Sequence, residues 1–433
     1  MKNKLFILLI SIFIFGSHLS WAQEKTAEIK LTDHDRVLVI APHPDDEIIA
    51  TAGIIQQAVK LKIPLKIIYL TNGDSNELAF LFYKKRLALN KHTAISFGNE
   101  RMKESREALK LLGVTPQERV FLGYPDYGLL KMFTHYWKGR QAFKSVLTRS
   151  LQVPYDESPS KGQAHTAQNL LNDLKIAIES VQPTKIFVSH PADSNADHQA
   201  AYLFLRVAMW ELEDQLIYVP QIFSYLTHAH KWPQPQGFAP TVMVLPTPTL
   251  AGDDIYYWNN FLLSDEQVAL KEKAVNVFKT QTAYRPYFLK SFVRPNELFS
   301  INLDRGLDQS LPLRSPEITY LLTDQFFEIQ FQSSAWSKYR FPLDVFIFGY
   351  KKEKPFGQMS KIVIKLSKDG ESIYDAYTPR RGSKVRITFQ NNMITIQCPL
   401  SVLENPDKIL TSIKASFNPW PSPIGQWKIF SVH

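Results

Sequence analysis

Between residues 35 and 197, short continuous apolar runs alternate with stretches whose apolar residues recur every third or fourth position. The runs at 36–41 (RVLVIA), 65–70 (LKIIYL), 119–122 and 185–189 (KIFVS) read as strands covered on both faces. Ile48, Ala52, Ile55 and Val59 recur at helical spacing, as do Leu171, Leu174, Ile178 and Val181 ahead of Pro183. A further helix is predicted over about 100–112, with Gly113 as its C-terminal cap. Strands alternating with helices predict a mostly parallel sheet between helical layers, a Rossmann-like three-layer sandwich. The stretch 127–168 breaks this rhythm. It is long and carries Phe133, Tyr136, Trp137 and Phe143, which fits either a lid or a short packed helical insertion.

Beyond residue 303 the period changes. Residues 304–310 (DRGLDQS) read as a linker, and strand patterns then dominate to the C-terminus. Val385, Ile387 and Phe389 alternate with polar neighbours, as do Ile394, Ile396 and Cys398. Asn391-Asn392 between them is a two-residue hairpin turn. It sets Phe389 opposite Ile394, Ile387 opposite Ile396 and Val385 opposite Cys398, so all six share one face. With the run at 362–366 before Asp369-Gly370, this predicts a C-terminal all-β sandwich over 304–433, following a catalytic domain over 23–303.

The N-terminus is read apart from the fold. Lys2 and Lys4 precede an apolar run at 5–15, and Ser20-Trp21-Ala22 offers small residues for cleavage, so 1–22 is expected to be a secretory signal peptide. The run is short for a membrane-spanning helix, so no stable membrane anchor is expected after cleavage. The expected location is periplasmic or secreted. Cys398 is the single cysteine, which excludes an intrachain disulfide and leaves stability to the core. The formal charge of +9 is scattered, without a basic run interleaved with aromatics. Nucleic acid is therefore not an expected partner. Attraction to anionic envelope polysaccharide, through the C-terminal region, is compatible with the charge.

Two polar pieces follow the apolar runs at 36–41 and 185–189: His43-Pro44-Asp45-Asp46-Glu47 and Asp193-Ser194-Asn195-Ala196-Asp197-His198. Strand ends on one edge of a parallel sheet converge, so both pieces are expected at one site. Adjacent Asp45 and Asp46 on a first helical turn point about a hundred degrees apart. One can hold a metal while the other faces water, and both sit at the positive end of the helix dipole. Glu47 can cap the helix or orient a ligand. Two histidines and a carboxylate form a set suited to zinc with an open position, the mark of a catalytic site. Water beside such a metal is acidified, and Asp45 is placed to take its proton. Alone, the first piece also fits an acidic helix cap with an incidental histidine. No G-x-S-x-G elbow, phosphate-cradling loop or cysteine nucleophile competes.

These residues resemble the PIG-L/LmbE-like zinc-dependent N-deacetylases. The segment Ala41-Pro42-His43-Pro44-Asp45-Asp46-Glu47 matches their strand-to-helix turn. Thr71-Asn72-Gly73-Asp74, Arg101 with Glu104, the stretch from Phe121 to Leu129 and Asp197-His198 match more loosely. The resemblance covers about 36–299. It implies zinc held by His43, Asp46 and His198, with Asp45 as general base and Arg101 and Asp126 contacting the substrate. One departure stands out. Many members place a histidine where this chain has Asn195, which can donate to an oxyanion but cannot act as an acid. His228 is the candidate replacement, with His190 as the alternative.

The expectation is a zinc-dependent hydrolase that removes an N-acyl group, chiefly acetyl, from an amino sugar or glycoconjugate. Two alternatives are a zinc amidohydrolase acting on a non-sugar acylated amine, and a non-catalytic glycan-binding protein. The intact base beside the ligand set argues against the last.

Overall fold

The computed structural model describes residues 27–85, 90–137, 141–252, 255–302, 305–306, 313–314, 318–332, 342–367, 370–375, 378–379, 383–415 and 423–432. The leader expected at 1–22 lies outside these residues.

The first half is built around strands β1 (Val37–Ala41), β2 (Leu65–Thr71), β3 (Arg119–Tyr124), β4 (Lys185–Ser189) and β5 (Gln221–Tyr225). They lie parallel in the order β5-β4-β1-β2-β3. The chain runs outward from β1 to β3 on one side, then returns beside β1 to lay down β4 and β5 on the other. The order reverses between β1 and β4, so a crevice opens at their C-terminal ends. Val37 to Ala41 are all fully buried, as the unbroken apolar run requires. Beyond the expected elements, β6 (Tyr256–Leu262) and β7 (Asn296–Asn302) extend the sheet in the order β6-β7-β5, with β7 antiparallel to both β5 and β6.

The helices that matter for the site are α1 (Asp46–Leu61), α2 (Glu77–Lys84), α3 (Lys91–Leu111), α4 (Leu129–His135), α5 (Ala167–Val181) and α6 (Ala196–Glu211). Helix α3 starts well before its expected position. An Asn90/Thr93 capping box begins it there. The irregular stretch after β3 supplies α4 and a loop whose Val146 and Leu147 line the crevice.

The C-terminal strands are β8 (Ile318–Leu322), β9 (Phe326–Gln332), β10 (Leu343–Tyr350), β11 (Lys361–Ser367), β12 (Gly370–Asp375), β13 (Arg386–Gln390), β14 (Met393–Pro399), β15 (Lys408–Ala415) and β16 (Pro423–Ser431). One sheet runs β8-β9-β14-β13 and the other β12-β11-β10-β15-β16, and their inner faces enclose a shared core. The β13–β14 hairpin has the expected register, with Ile387 opposite Ile396 and Phe389 opposite Ile394. Both turn residues take the left-handed conformation a two-residue hairpin needs, at φ 50° for Asn391 and 61° for Asn392. Within the expected linker, Arg305–Gly306 instead pairs with β16.

The second sheet is buried on both sides. In β10, Val345 and Ile347 point into the sandwich while Phe346, Phe348 and Tyr350 join the core of the first half. Phe133 of α4 packs against Phe348, Phe356 and Trp427 at ring separations of 6.3, 5.8 and 5.9 Å. The β sandwich is therefore seated on α4 and α6 by aromatic packing.

Candidate active site

Both polar pieces lie at the reversal of strand order. His43 follows β1 and His198 sits in the first turn of α6, which follows β4. His43 Nδ1, Asp46 Oδ2 and His198 Nε2 form a near-equilateral triangle with sides of 3.2, 3.2 and 3.3 Å. A tetrahedral zinc with ordinary bond lengths spaces its ligands about 3.3–3.4 Å apart. The three donors thus fit such a cation as they stand. Their electrostatics agree. Burial disfavours charge on all three, yet Asp46 is held well below the carboxylate range by the two histidines. His198 is drawn up to about 9 by Asp46 and Asp193, against its own burial. A field that draws protons onto these nitrogens also draws a cation.

Both imidazoles of the triangle are fixed from behind. His43 Nε2 lies 3.1 Å from Asp126 Oδ1 and 3.4 Å from Asp197 Oδ2. Asp197 also accepts from the backbone N–H of Tyr127 and Leu129, so it ties His43 to the start of α4. His198 Nδ1 lies 3.2 Å from Thr227 Oγ1 and 3.4 Å from Asp193 Oδ2. Asp193 accepts from the N–H groups of Asn195, Thr227 and His228, which binds the loops after β4 and β5 together. Such carboxylates set the tautomer and orientation of metal-binding imidazoles. The sequence reading gave Asp193, Asp197 and Thr227 no such task, since contacts between side chains on separate loops leave no local pattern.

Asp45 is the unusual residue. It stands at φ 122°, ψ −32° just before α1, a conformation costly for any residue but glycine. The turn is held by Arg101, which is itself buried. Its Nη2 donates to Pro44 O at 2.7 Å and to Asp45 Oδ2 at 3.1 Å, and its Nη1 donates to Gly73 O at 2.9 Å. Gly73, at φ +63°, must lack a side chain, because a Cβ there would lie 1.8 Å from the guanidinium. Asp45 N donates to Glu47 Oε2 at 2.8 Å. Burial lifts the Asp45 carboxyl to about 7, with Arg101 opposing. Burial also lifts Glu47 to about 8, so its side chain rests as a neutral acid beneath the turn.

Arg101 and Asp126, expected as substrate contacts, line the cleft but are engaged with the turn at 43–46 and with His43. Asn195 caps α6 through Oδ1, accepting from Asp197 N, and lines the cleft. His228 also lines the cleft. Its ring lies 4.7 Å from that of His198 and stacks on Phe288 at 5.3 Å. Burial pushes it down to about 4, so it rests neutral. His190 does not reach the cleft. It is fully buried, stacked on Trp258, with Nδ1 accepting from Ala192 N.

The cleft encloses about 1060 Å³. It runs from the ligand triangle along α4 to the second sheet of the β sandwich, where Asp344, Phe346 and Lys414 form its far wall.

Residues 38–209 match the family described as PIG-L, GlcNAc-PI de-N-acetylase. Among solved structures, a conserved protein of Thermus thermophilus is similar at 20% identity and TM-score 0.38, over 65% of this chain and 98% of that one. An N,N'-diacetylchitobiose deacetylase of Pyrococcus horikoshii is similar at 20% identity and TM-score 0.36, over 61% of this chain and 82% of that one. The A40926 pseudoaglycone deacetylase is similar at 15% identity and TM-score 0.39, over 62% of this chain and 97% of that one. No curated protein matches the chain.

Proposed function

We propose that the PIG-L domain at 38–209 makes this chain a zinc-dependent N-deacetylase of an amino sugar or glycoconjugate. The observation that carries the reading is the Asp45 carboxylate, held by Arg101 in a strained turn beside three converging metal donors. A binding protein has no use for such a base.

Zinc held by His43, Asp46 and His198 would supply Lewis acidity to the amide carbonyl and acidify water beside it. Asp45 takes the proton as water adds to the acyl carbon. The charge that develops on the carbonyl oxygen is met by the Nδ2–H of Asn195 and by neutral His228 as hydrogen-bond donors. When the C–N bond breaks, the amine nitrogen needs a proton. Asp45, protonated in the first step, returns it. A neutral His228 with a pKa of about 4 is a poor acid, so its contribution is polar rather than protonic. Arg101 keeps Asp45 aimed, and Asp126 and Asp197 keep His43 aimed. The products are acetate and a free amino sugar.

The leader expected at 1–22 would carry the enzyme out of the cytoplasm, to envelope glycans. Release of acetate from N-acetylglucosamine oligosaccharides by the zinc-loaded full chain tests the activity. Absence of release across neutral and acidic amino-sugar glycans, with zinc bound, refutes it. Fractionation of the producing cells tests export.

A further inference from the structure

The far end of the cleft is chemically unlike the ligand triangle. Along the second sheet, Lys365 of β11, Asp344 of β10 and Lys414 of β15 stand side by side in register on the face turned toward the first half of the chain. Lys131, on α4, lines the cleft opposite them. Phe346, two residues on from Asp344 on the same face, is buried there, with His135 packed edgewise on it at 6.3 Å and Trp427 stacked on it at 5.6 Å. Three lysines thus face one carboxylate.

Lys414 is the informative member. It is 7% exposed, yet its one hydrogen-bond acceptor among the described residues is the neutral Gln199 Oε1, at 2.7 Å. The Trp427 ring lies 5.9 Å away. An ammonium buried against an amide and an aromatic ring is poorly compensated. Burial and the neighbouring Lys131 push it down to about 7. His135 feels the same field: burial, then Lys131 and Lys365, drive it far below the usual imidazole range. An anion entering here would relieve both.

We propose that this end of the cleft binds a carboxylate or phosphate on a sugar unit adjoining the acylated amino sugar, so that the substrate is an acidic glycan, read by Lys414 and Lys131. The inference rests on the deacetylase reading for the identity of the first unit, not for the anion site itself. Lys131 stands two residues along α4 from Leu129, whose N–H bonds Asp197, and Lys414 bonds Gln199, the residue next to His198, so both lysines border the same cleft as the metal donors. The β sandwich therefore supplies substrate recognition to the catalytic half.

The test measures binding first and turnover second, on the zinc-loaded full chain. The probes are a disaccharide of N-acetylglucosamine and glucuronic acid, its neutral glucose counterpart, and N-acetylglucosamine linked to glucose 6-phosphate. Calorimetric affinity for at least one acidic probe should exceed that for the neutral one about tenfold, the order of one charge-assisted contact. Lys414→Met and Lys131→Ala should each reduce that preference. Lys131→Ala is a surface change that leaves packing intact, so it remains informative if Lys414→Met folds poorly. Carboxylate and phosphate arms tell the two anion sources apart. Equal affinity for acidic and neutral probes overturns the anion site, even if both release acetate. An acidic preference without acetate release keeps the anion site and refutes the deacetylase reading.

Discussion

Arg101 Nη2 lies 3.1 Å from Asp45 Oδ2, and the same nitrogen also donates to the carbonyl of Pro44 one residue earlier. One guanidinium thus fixes both the backbone and the carboxylate of the turn that carries the proposed base. Arg101→Met should leave a buried, unpaired carboxylate and two orphaned carbonyls. The expected loss is about 3–5 kcal/mol of stability, with turnover falling more than zinc content. Denaturant melts and metal analysis check this. A variant of unchanged stability would show that the turn stands without the arginine.

Asp45 separates stability from activity. Asp45→Asn should keep zinc and lose about a hundredfold to ten-thousandfold in rate. Asp45→Gly should be equally inactive yet more stable by about 1 kcal/mol or more, because glycine accepts φ 122° without strain. Thermal melts of the two variants decide. If Asp45→Gly is the less stable of the two, the turn holds no strain worth releasing.

His43→Ala and His198→Ala should each lose zinc, since two remaining ligands seldom retain it. Chelation of the wild-type chain should lower its melting temperature, because a cation bound only by the folded state stabilises it. Full zinc occupancy in either variant would remove the proposed centre.

Two buried histidines should each weaken the protein in acid. Burial pushes His165 down to about 4 and His190 down to about 3. Unfolded histidines bind protons near pH 6.5. Between these values each imidazole holds more protons unfolded than folded, so the stability it contributes is full above about pH 6.5 and is lost as pH falls toward 4, while the raised carboxyls of Asp45 and Glu47 shift stability the opposite way. Each histidine contributes on the order of a few kcal/mol. Melts of wild type and His165→Gln from about pH 7.5 to 4.5 should diverge, the variant gaining stability relative to wild type as pH falls. Parallel profiles for wild type and His165→Gln would refute the assignment to His165.

A chain ending at Ser300 would strip the cover from Phe133 and Trp137, whose rings now pack on Phe356 at 5.8 and 4.9 Å. A modest contact between halves would let such a truncated chain fold alone. The packing is apolar and aromatic, so aggregation or loss of cooperative melting is expected instead. A soluble, sharply melting, zinc-loaded product would show that the sandwich is dispensable to the fold.

How much of this was legible beforehand follows from range. Strand and helix alternation through β4, the β13–β14 register and the turn at Asn391-Asn392 are local, because a period of two or of 3.6 records which side of one element is buried. That His43, the Asp45-Asp46 pair and His198 would meet was legible for a related reason: each follows a recognisable strand and parallel strand ends share an edge, whereas taking Asp46 rather than Asp45 as a metal donor rested on the family resemblance. The partners of those residues were not legible. Arg101 reads as a helix-surface charge until α3 is laid against the turn at 43–46. Asp193 reads as a loop carboxylate until the loops after β4 and β5 meet at His198. Lys414 shows the limit most plainly. A lysine alternating with apolar residues in a strand marks a solvent-facing side in isolation. It becomes a buried cleft residue only because Phe346, Phe348 and Trp427 draw that face of the sheet onto α4 and α6. The sequence by itself determined the local elements and which residues share a face along each. Which buried faces meet, and so which charges share one cleft, is decided by long-range packing, because the free energy of joining two apolar surfaces does not depend on where along the chain they lie.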